Sequence, residues 1–503
     1  MKSILKKILY IRIHYFLIIV YLLLGDVKIM AQIKLISENN VEYHDVLCEQ
    51  FSYSKFYKQE VSYDCFLEDS ENLAYLFETA YAGFRDMISK GFNTEHFLED
   101  CKNKFKNQET IAVSEILNYY FTYLKNYIND THCFIESQNF CKNFVTSKCI
   151  FFSDLYVIKK EEKLFIYKAN NLDFPLNTEI GIQNKYLFKY PSEGKNVYRV
   201  GKLSDSLHTE ENIFVYLDGK EYKLKCKCYS YIGNSQSIED LVNYQEIETK
   251  KTGYISIKTF IDFPKENKYR NELNKIYSDF ENAGKKFRIK QNVVLDLRGN
   301  GGGLSVYPSK FLNNLVADKD IKNFDSFDCV FLMSPAIYQV MQTKIKTTYS
   351  KKDERYKEFI QIMNLYQESK KTEFLLNNKN GRKKVKPKFM GKLIIITDKG
   401  TASSSELIIS YAKEILGKTN QIILIGENTY GCFNYGNIYH YQLRKSGISI
   451  RLAQFKMNNV PVEEGVGFLP DYWATNEDIL KTLVNVTGDE ELLEKLKDIN
   501  NNL

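Results

Sequence analysis

Three short runs without a polar residue constrain this chain more than anything else in it: Val293-Val294-Leu295, Leu393-Ile394-Ile395-Ile396 and Ile422-Ile423-Leu424-Ile425. Runs this short, mostly β-branched and apolar throughout, read as strands buried on both faces, the signature of a parallel sheet covered by helices. Each run ends in small or glycine-rich residues: Arg298-Gly299-Asn300-Gly301-Gly302-Gly303, Gly400-Thr401-Ala402-Ser403-Ser404-Ser405 and Gly426-Glu427-Asn428. Gly253 to Ile257 reads as a further strand, and a charged helix from about Lys265 to Lys285 separates it from the first run. Strand, helix, strand is a βαβ unit, so the class expected is α/β.

The chain around this core is long enough for two or three domains. It has 503 residues, 44% of them hydrophobic and 14% aromatic, which supplies sizeable cores rather than disorder. The net charge of +6 is the difference of 69 basic and 63 acidic residues. No dense basic stripe accompanies it, so nucleic acid is not an implied partner. At the N-terminus Lys2, Lys6, Lys7 and Arg12 precede the apolar run Tyr15 to Leu24, and Ala31-Gln32 offers a cleavage point. That order is a secretory signal pattern, and the run is about half of a membrane span. Residues 1–31 are therefore expected to be a signal peptide and the protein to be exported (periplasmic, cell-surface or extracellular), with membrane contact only if the segment is retained. Of ten cysteines, six fall in the first third. Their spacing fits no zinc template, and pairing outside the cytoplasm is left open.

From about Asn72 to Asp130 apolar residues recur at three- and four-residue spacing, so residues 32–150 are expected to be a helical region. Residues 151–250 carry short alternating runs, with Asp218-Gly219 as a hairpin turn between Ile213–Leu217 and Tyr222–Cys226. This predicts a small β-rich domain. A Lys- and Tyr-rich insertion, residues 312–387, is expected to be helical and surface-facing. Residues 476–503 close the chain as a helix.

Two loops carry chemistry. At the strand-to-helix junction the small residues leave a hydroxyl exposed beside helix N-terminal N–H groups, the geometry of a serine nucleophile. The same residues are also ordinary helix caps. The glycine loop after Leu297 has neither a phosphate-loop Lys-Ser/Thr nor dinucleotide spacing, but it can offer N–H donors to an oxyanion. Asp296 and Arg298 suit a buried pair that shapes this loop. A His in Asn129-Asp130-Thr131-His132 stands at the edge of the helical region.

Taken together, Asp130-Thr131-His132, Asp296-Leu297-Arg298-Gly299-Asn300-Gly301-Gly302-Gly303, Thr401-Ala402-Ser403-Ser404-Ser405-Glu406 with Gly426-Glu427-Asn428-Thr429-Tyr430-Gly431, and Glu464-Gly465-Val466-Gly467 through Pro470-Asp471 resemble one family. It is the serine peptidases that include tail-specific (C-terminal processing) proteases, tricorn-like core proteases and the repeats of interphotoreceptor retinoid-binding protein. The resemblance implies a ClpP/crotonase-like βαβ catalytic core over residues 251–475, with the β-rich domain as a degenerate PDZ-like unit. It implies Ser403 as nucleophile, with Ser405 as runner-up, and the backbone N–H groups of Gly302 and Ser404 as oxyanion hole. The tail-specific branch places a Lys where this chain has Cys432, so the Ser-His-Glu branch is the better likeness. His132 is then the base and Glu464 the acid, with Glu463 as its rival. No metal or cofactor is implied, and the substrate is a protein or peptide. Two alternatives stand beside this: a non-catalytic peptide or apolar-ligand binding module, and Cys432 as a nucleophile in its own right.

Overall fold

A computed structural model of the chain describes residues 47–49, 57–138, 140–230, 237–263, 267–316, 329–347, 351, 354–369, 373–376, 387–458, 460 and 462–501. The expected signal segment lies outside these residues. Among the described residues no helix is long and apolar enough to cross a membrane.

The three apolar runs become adjacent strands of one six-stranded sheet. Thr252–Ile257, Asn292–Asp296, Lys392–Thr397 and Ile422–Gly426 pair in parallel, with the short Tyr472–Trp473 beyond them and antiparallel Tyr244–Glu248 at the opposite edge. Thr252–Ile257 and Asn292–Asp296 are buried at every position, which is why polar alternation is absent from them. One face packs Ile255, Val293, Leu295, Leu393 and Ile395 against helices Arg270–Phe287, Val306–Val316 and Ser404–Leu416. The other packs Tyr254, Val294, Ile394 and Ile396 against Ile479, Leu483, Leu492 and Leu496. Those last four belong to two helices, Ile479–Thr487 and Glu490–Asn501, where one is expected from sequence. The first ends at Gly488, whose φ of 65° lies outside the helical range.

Residues 148–228 form a separate six-stranded antiparallel sheet with its own core of Phe151, Leu155, Val157, Val200, Val215 and Leu224. The predicted hairpin is present. Leu217 pairs with Lys220, and Asp218 and Gly219 have φ of 49° and 74°, the two left-handed positions that a two-residue turn demands. A second antiparallel sheet is built on Tyr435–Gln442 and Ser449–Met457, joined by Phe134–Ser137 and Cys329–Leu332. Helices Tyr63–Ala80, Thr94–Lys104 and Val113–Leu124 bury Phe66, Phe77, Phe97 and Tyr120 in a core shared with this sheet.

The insertion differs from the sequence expectation. Helices Pro335–Thr347 and Glu354–Ser369 do form. Their Ile337, Val340, Met341, Phe359 and Met363 are buried in that same core, and Lys357 is exposed. The high Lys content masked an amphipathic stripe.

Candidate active site

The Lys392–Thr397 strand runs through Asp398 to Ala402 into the Ser404–Leu416 helix, and Ser403 sits at the corner with φ 54° and ψ −118°. A non-glycine residue in this region is strained by about 1–3 kcal/mol and persists only when its surroundings over-determine it. They do. Thr401 Oγ1 donates to Leu297 O at 2.9 Å, and Ala402 N to Asn300 O at 3.0 Å. Ser403 N donates to the Glu406 carboxylate at 3.0 Å, while Ser403 O accepts from Glu406 N and Leu407 N. Of the six residues Thr401 to Glu406, only Ser403 is not fully buried. Ser405 is enclosed with an unpartnered hydroxyl, which disfavours it as runner-up.

Glu406 is the residue that sequence reasoning missed. Its buried carboxylate accepts from Ser403 N, from Cys432 N at 2.9 Å, from Gly431 N at 2.9 Å and from Thr429 Oγ1 at 2.5 Å. It ties the serine corner to the Thr429–Phe433 loop. A Glu three residues after a helix-start serine is a capping-box signal, but its partners 23 to 26 residues away carry no local mark.

The glycine loop meets the serine from the neighbouring strand. A Cβ on Gly302 would lie 2.8 Å from Ser403 Cβ and 2.9 Å from Ser404 N, and φ there is +91°, so only glycine fits. Gly302 and Ser404, the two residues expected to supply oxyanion donors, are thus side by side. Gly302 N already donates to Asn300 Oδ1 at 3.0 Å, so an oxyanion would share this donor. The expected charge pair beneath the loop forms: Arg298 Nη2 donates to Asp296 Oδ2 at 2.6 Å and Nε to Oδ1 at 3.0 Å, with Tyr254 OH on Oδ2 at 2.8 Å. Burial would raise the Asp296 carboxyl, but Arg298 holds it well below the carboxylate range.

His132 lies in the turn that ends the N-terminal helices, mostly buried, its N–H donating to Asp130 Oδ1 at 2.8 Å. Its Nδ1 is 3.6 Å from the same oxygen, an electrostatic rather than a hydrogen-bonding distance. Burial pushes the imidazole down, yet Asp130, Glu464 and Glu406 outweigh it and hold it above its ordinary value. Thr131 Oγ1 donates to Gly431 O at 3.0 Å and to Glu464 Oε2 at 2.5 Å, so the His turn docks on the loop that Glu406 holds.

Glu464 is buried and pushed up to about 7 by burial and by the Asp130 charge. Its Oε1 accepts from Asn434 N at 2.8 Å and Phe433 N at 3.3 Å. Glu463, its rival, is exposed and faces Lys148 at 3.8 Å. Asp130, whose Oδ1 is 3.6 Å from the imidazole, is a carboxylate that sequence reasoning passed over, although it lies two residues before the histidine. Cys432 is buried, and its thiol is pushed well up by burial and by Glu406 and Glu464, the wrong direction for a nucleophile. Lys399 is buried too and lowered to about 8 by desolvation. Its Nζ donates to Thr429 O at 2.9 Å and Tyr430 O at 3.2 Å, so it braces the same loop. Among the described residues no cluster of His, Cys, Asp and Glu could hold a metal ion.

A serine on a strained strand-to-helix corner, with a glycine loop against it and a buried imidazole docked through a shared loop, defines the class: a serine-type peptidase. The sequence agrees, since residues 251–473 match the model of peptidase family S41. No curated protein matches the chain. Solved structures with similarity include mature CPAF complexed with lactacystin, at 12% identity over 87% of this chain and 98% of that one with a TM-score of 0.40. The photosystem II D1 C-terminal processing protease aligns at 13% identity over 85% and 94% with a TM-score of 0.34. Tricorn protease aligns at 13% over 86% of this chain and 37% of its own, with a TM-score of 0.27. The family match, and not these likenesses, carries the assignment.

Proposed function

We propose that the chain is an exported serine peptidase that hydrolyses peptide bonds of proteins or peptides with Ser403, His132 and Glu464, the N–H groups of Ser404 and Gly302 receiving the oxyanion. The observation that carries this reading is the Ser403 corner: a strained, partly open serine braced on every side, with a glycine that nothing larger can replace against it. Ser403 Oγ attacks the scissile carbonyl and its proton passes to His132. The tetrahedral oxyanion is held by the two amides until the amine leaves with that proton. Water then attacks the acyl-enzyme carbonyl, giving its proton to His132, which returns it to Ser403 Oγ as the C–O bond breaks. The carboxylates around the imidazole stabilise the imidazolium formed in each half. The β-rich unit serves in this reading as a PDZ-like surface for the substrate chain.

A second reading, a binding module on the same scaffold, finds support in the Gly302 amide already engaged by Asn300. Purified full-length protein incubated with casein and with a fluorophosphonate separates the two. The peptidase digests casein and is labelled at one site. Ser403→Ala abolishes both, lowering kcat by roughly 10⁴–10⁶-fold, and His132→Ala stops digestion. Labelling that persists in Ser403→Ala overturns the nucleophile, and a folded, unlabelled and inactive wild type favours the binding module.

A further inference from the structure

The catalytic reading leaves unused a pair of thiols where the β-rich unit meets the peptidase core. Cys149 lies near the start of the Lys148–Lys160 strand and Cys228 ends the Lys220–Cys228 strand, 79 positions later. Their Sγ atoms are 3.3 Å apart, in hydrogen-bonding contact. Cys149 is fully buried and Cys228 half-buried, so one thiol is reachable and the other stands behind it. The residue before Cys149 holds two catalytic-core loops. Lys148 N donates to Gly465 O at 2.7 Å, next to Glu464, and Lys148 O accepts from Asn428 Nδ2 at 2.9 Å.

We propose that Cys149 and Cys228 are a redox-active dithiol that closes to an intradomain disulfide by exchange with a small-molecule disulfide such as oxidised glutathione. The half-buried Cys228 attacks as the thiolate, breaking the glutathione S–S bond and releasing one glutathione thiolate. Cys149 Sγ then gives its proton to that thiolate and attacks Cys228 Sγ, releasing the second glutathione. The protein dithiol is oxidised by two electrons and the oxidant is reduced to two thiols. The division of labour agrees with the thiols' acidity: the hydrogen bond from Cys149 lowers Cys228, while the same contact and burial raise Cys149. Closure pins the start of the strand that grips Gly465 and Asn428, so the oxidation state reaches the loop bearing Glu464.

The test is non-reducing peptide mapping of the full chain after incubation with oxidised glutathione, with intact mass alongside. The expected product loses about 2 Da and contains a peptide linking Cys149 to Cys228, which dithiothreitol reverses. Cys228→Ser, chosen because that side chain is half-buried, abolishes the link, and Cys226→Ser leaves it intact. A glutathione adduct that persists on Cys228, or a link from either cysteine to Cys226, overturns the pair. A separate arm rests on the peptidase reading: kcat/KM is expected to change at least about threefold on oxidation in wild type and not in Cys228→Ser. Disulfide formation with unchanged kcat/KM removes the coupling to the Glu464 loop, and an inactive enzyme with the disulfide present counts against the peptidase reading alone.

Discussion

Glu406→Gln probes what holds the serine corner in its strained shape. The carboxylate accepts four hydrogen bonds, three of them from backbone N–H groups that have been drawn out of water with it. A carboxamide keeps one oxygen and turns an NH₂ toward donors, so two of the four lose their acceptor. Each buried donor left unsatisfied costs about 1–3 kcal/mol, giving about 2–6 kcal/mol for the substitution. That exceeds the roughly 1–3 kcal/mol needed to keep one residue in a sparsely populated φ/ψ region, so Ser403 is expected to relax from φ 54° toward an ordinary cap. Glu406→Ala would orphan all four donors at about 4–12 kcal/mol, comparable with the whole stability of a domain, and is not expected to yield folded protein. For Glu406→Gln the fluorophosphonate labelling rate and kcat are expected to fall by about 10²–10³-fold, the value of one misplaced oxyanion donor, with KM changed by less than about threefold. Urea unfolding measured on the same samples gives the stability loss. A variant that is destabilised by the calculated amount but labels at the wild-type rate would refute the link between Glu406 and the Ser403 geometry.

Gly302→Ala is expected to lower kcat by at least about 10²-fold, because the new Cβ must displace Ser403 or Ser404; steady-state kinetics with a chromogenic peptide checks it. A general base must be neutral, and His132 is held above its ordinary value of 6.5, so kcat/KM should rise with pH along a limb centred above that value. Asp130→Asn removes the main group that raises it, and should shift the limb to lower pH in a pH–rate profile. Glu464→Gln is expected to reduce kcat by about 10²–10⁴-fold and the exposed Glu463→Gln to leave it unchanged, which parallel assays of the two variants distinguish. Asp296→Asn leaves the Arg298 guanidinium without its buried partner and should cost about 3–5 kcal/mol in urea unfolding.

The parallel sheet was legible because burial on both faces forces apolar runs, and the serine corner because small residues must stand where strand turns into helix. The hairpin at Asp218-Gly219 was legible for the same local reason. What escaped was decided by partners far along the chain. Nothing near Glu406 announces that its acceptors will be filled from the Thr429–Phe433 loop. Nothing near Thr131 says that it will bond to Glu464, 333 positions away. The insertion's helices read as surface because their lysines are many, whereas five apolar residues on one stripe decide where they pack. The break at Gly488 is a single left-handed residue inside a run of helix formers.

The contacts between Thr131 and Glu464 span 333 positions, and that from Thr131 to Gly431 spans 300. On a ribosome adding about 5–20 residues per second, His132 is made roughly 15–70 s before the residues its turn docks on. Throughout that interval the Thr131 contacts to Gly431 and Glu464 do not exist, whatever the serine strand has done. Any product that stops short of Glu464 lacks that buried carboxylate altogether. If His132 and Glu464 act as proposed, the catalytic set stays incomplete while the chain is being made, and activity waits on the last of these long-range contacts.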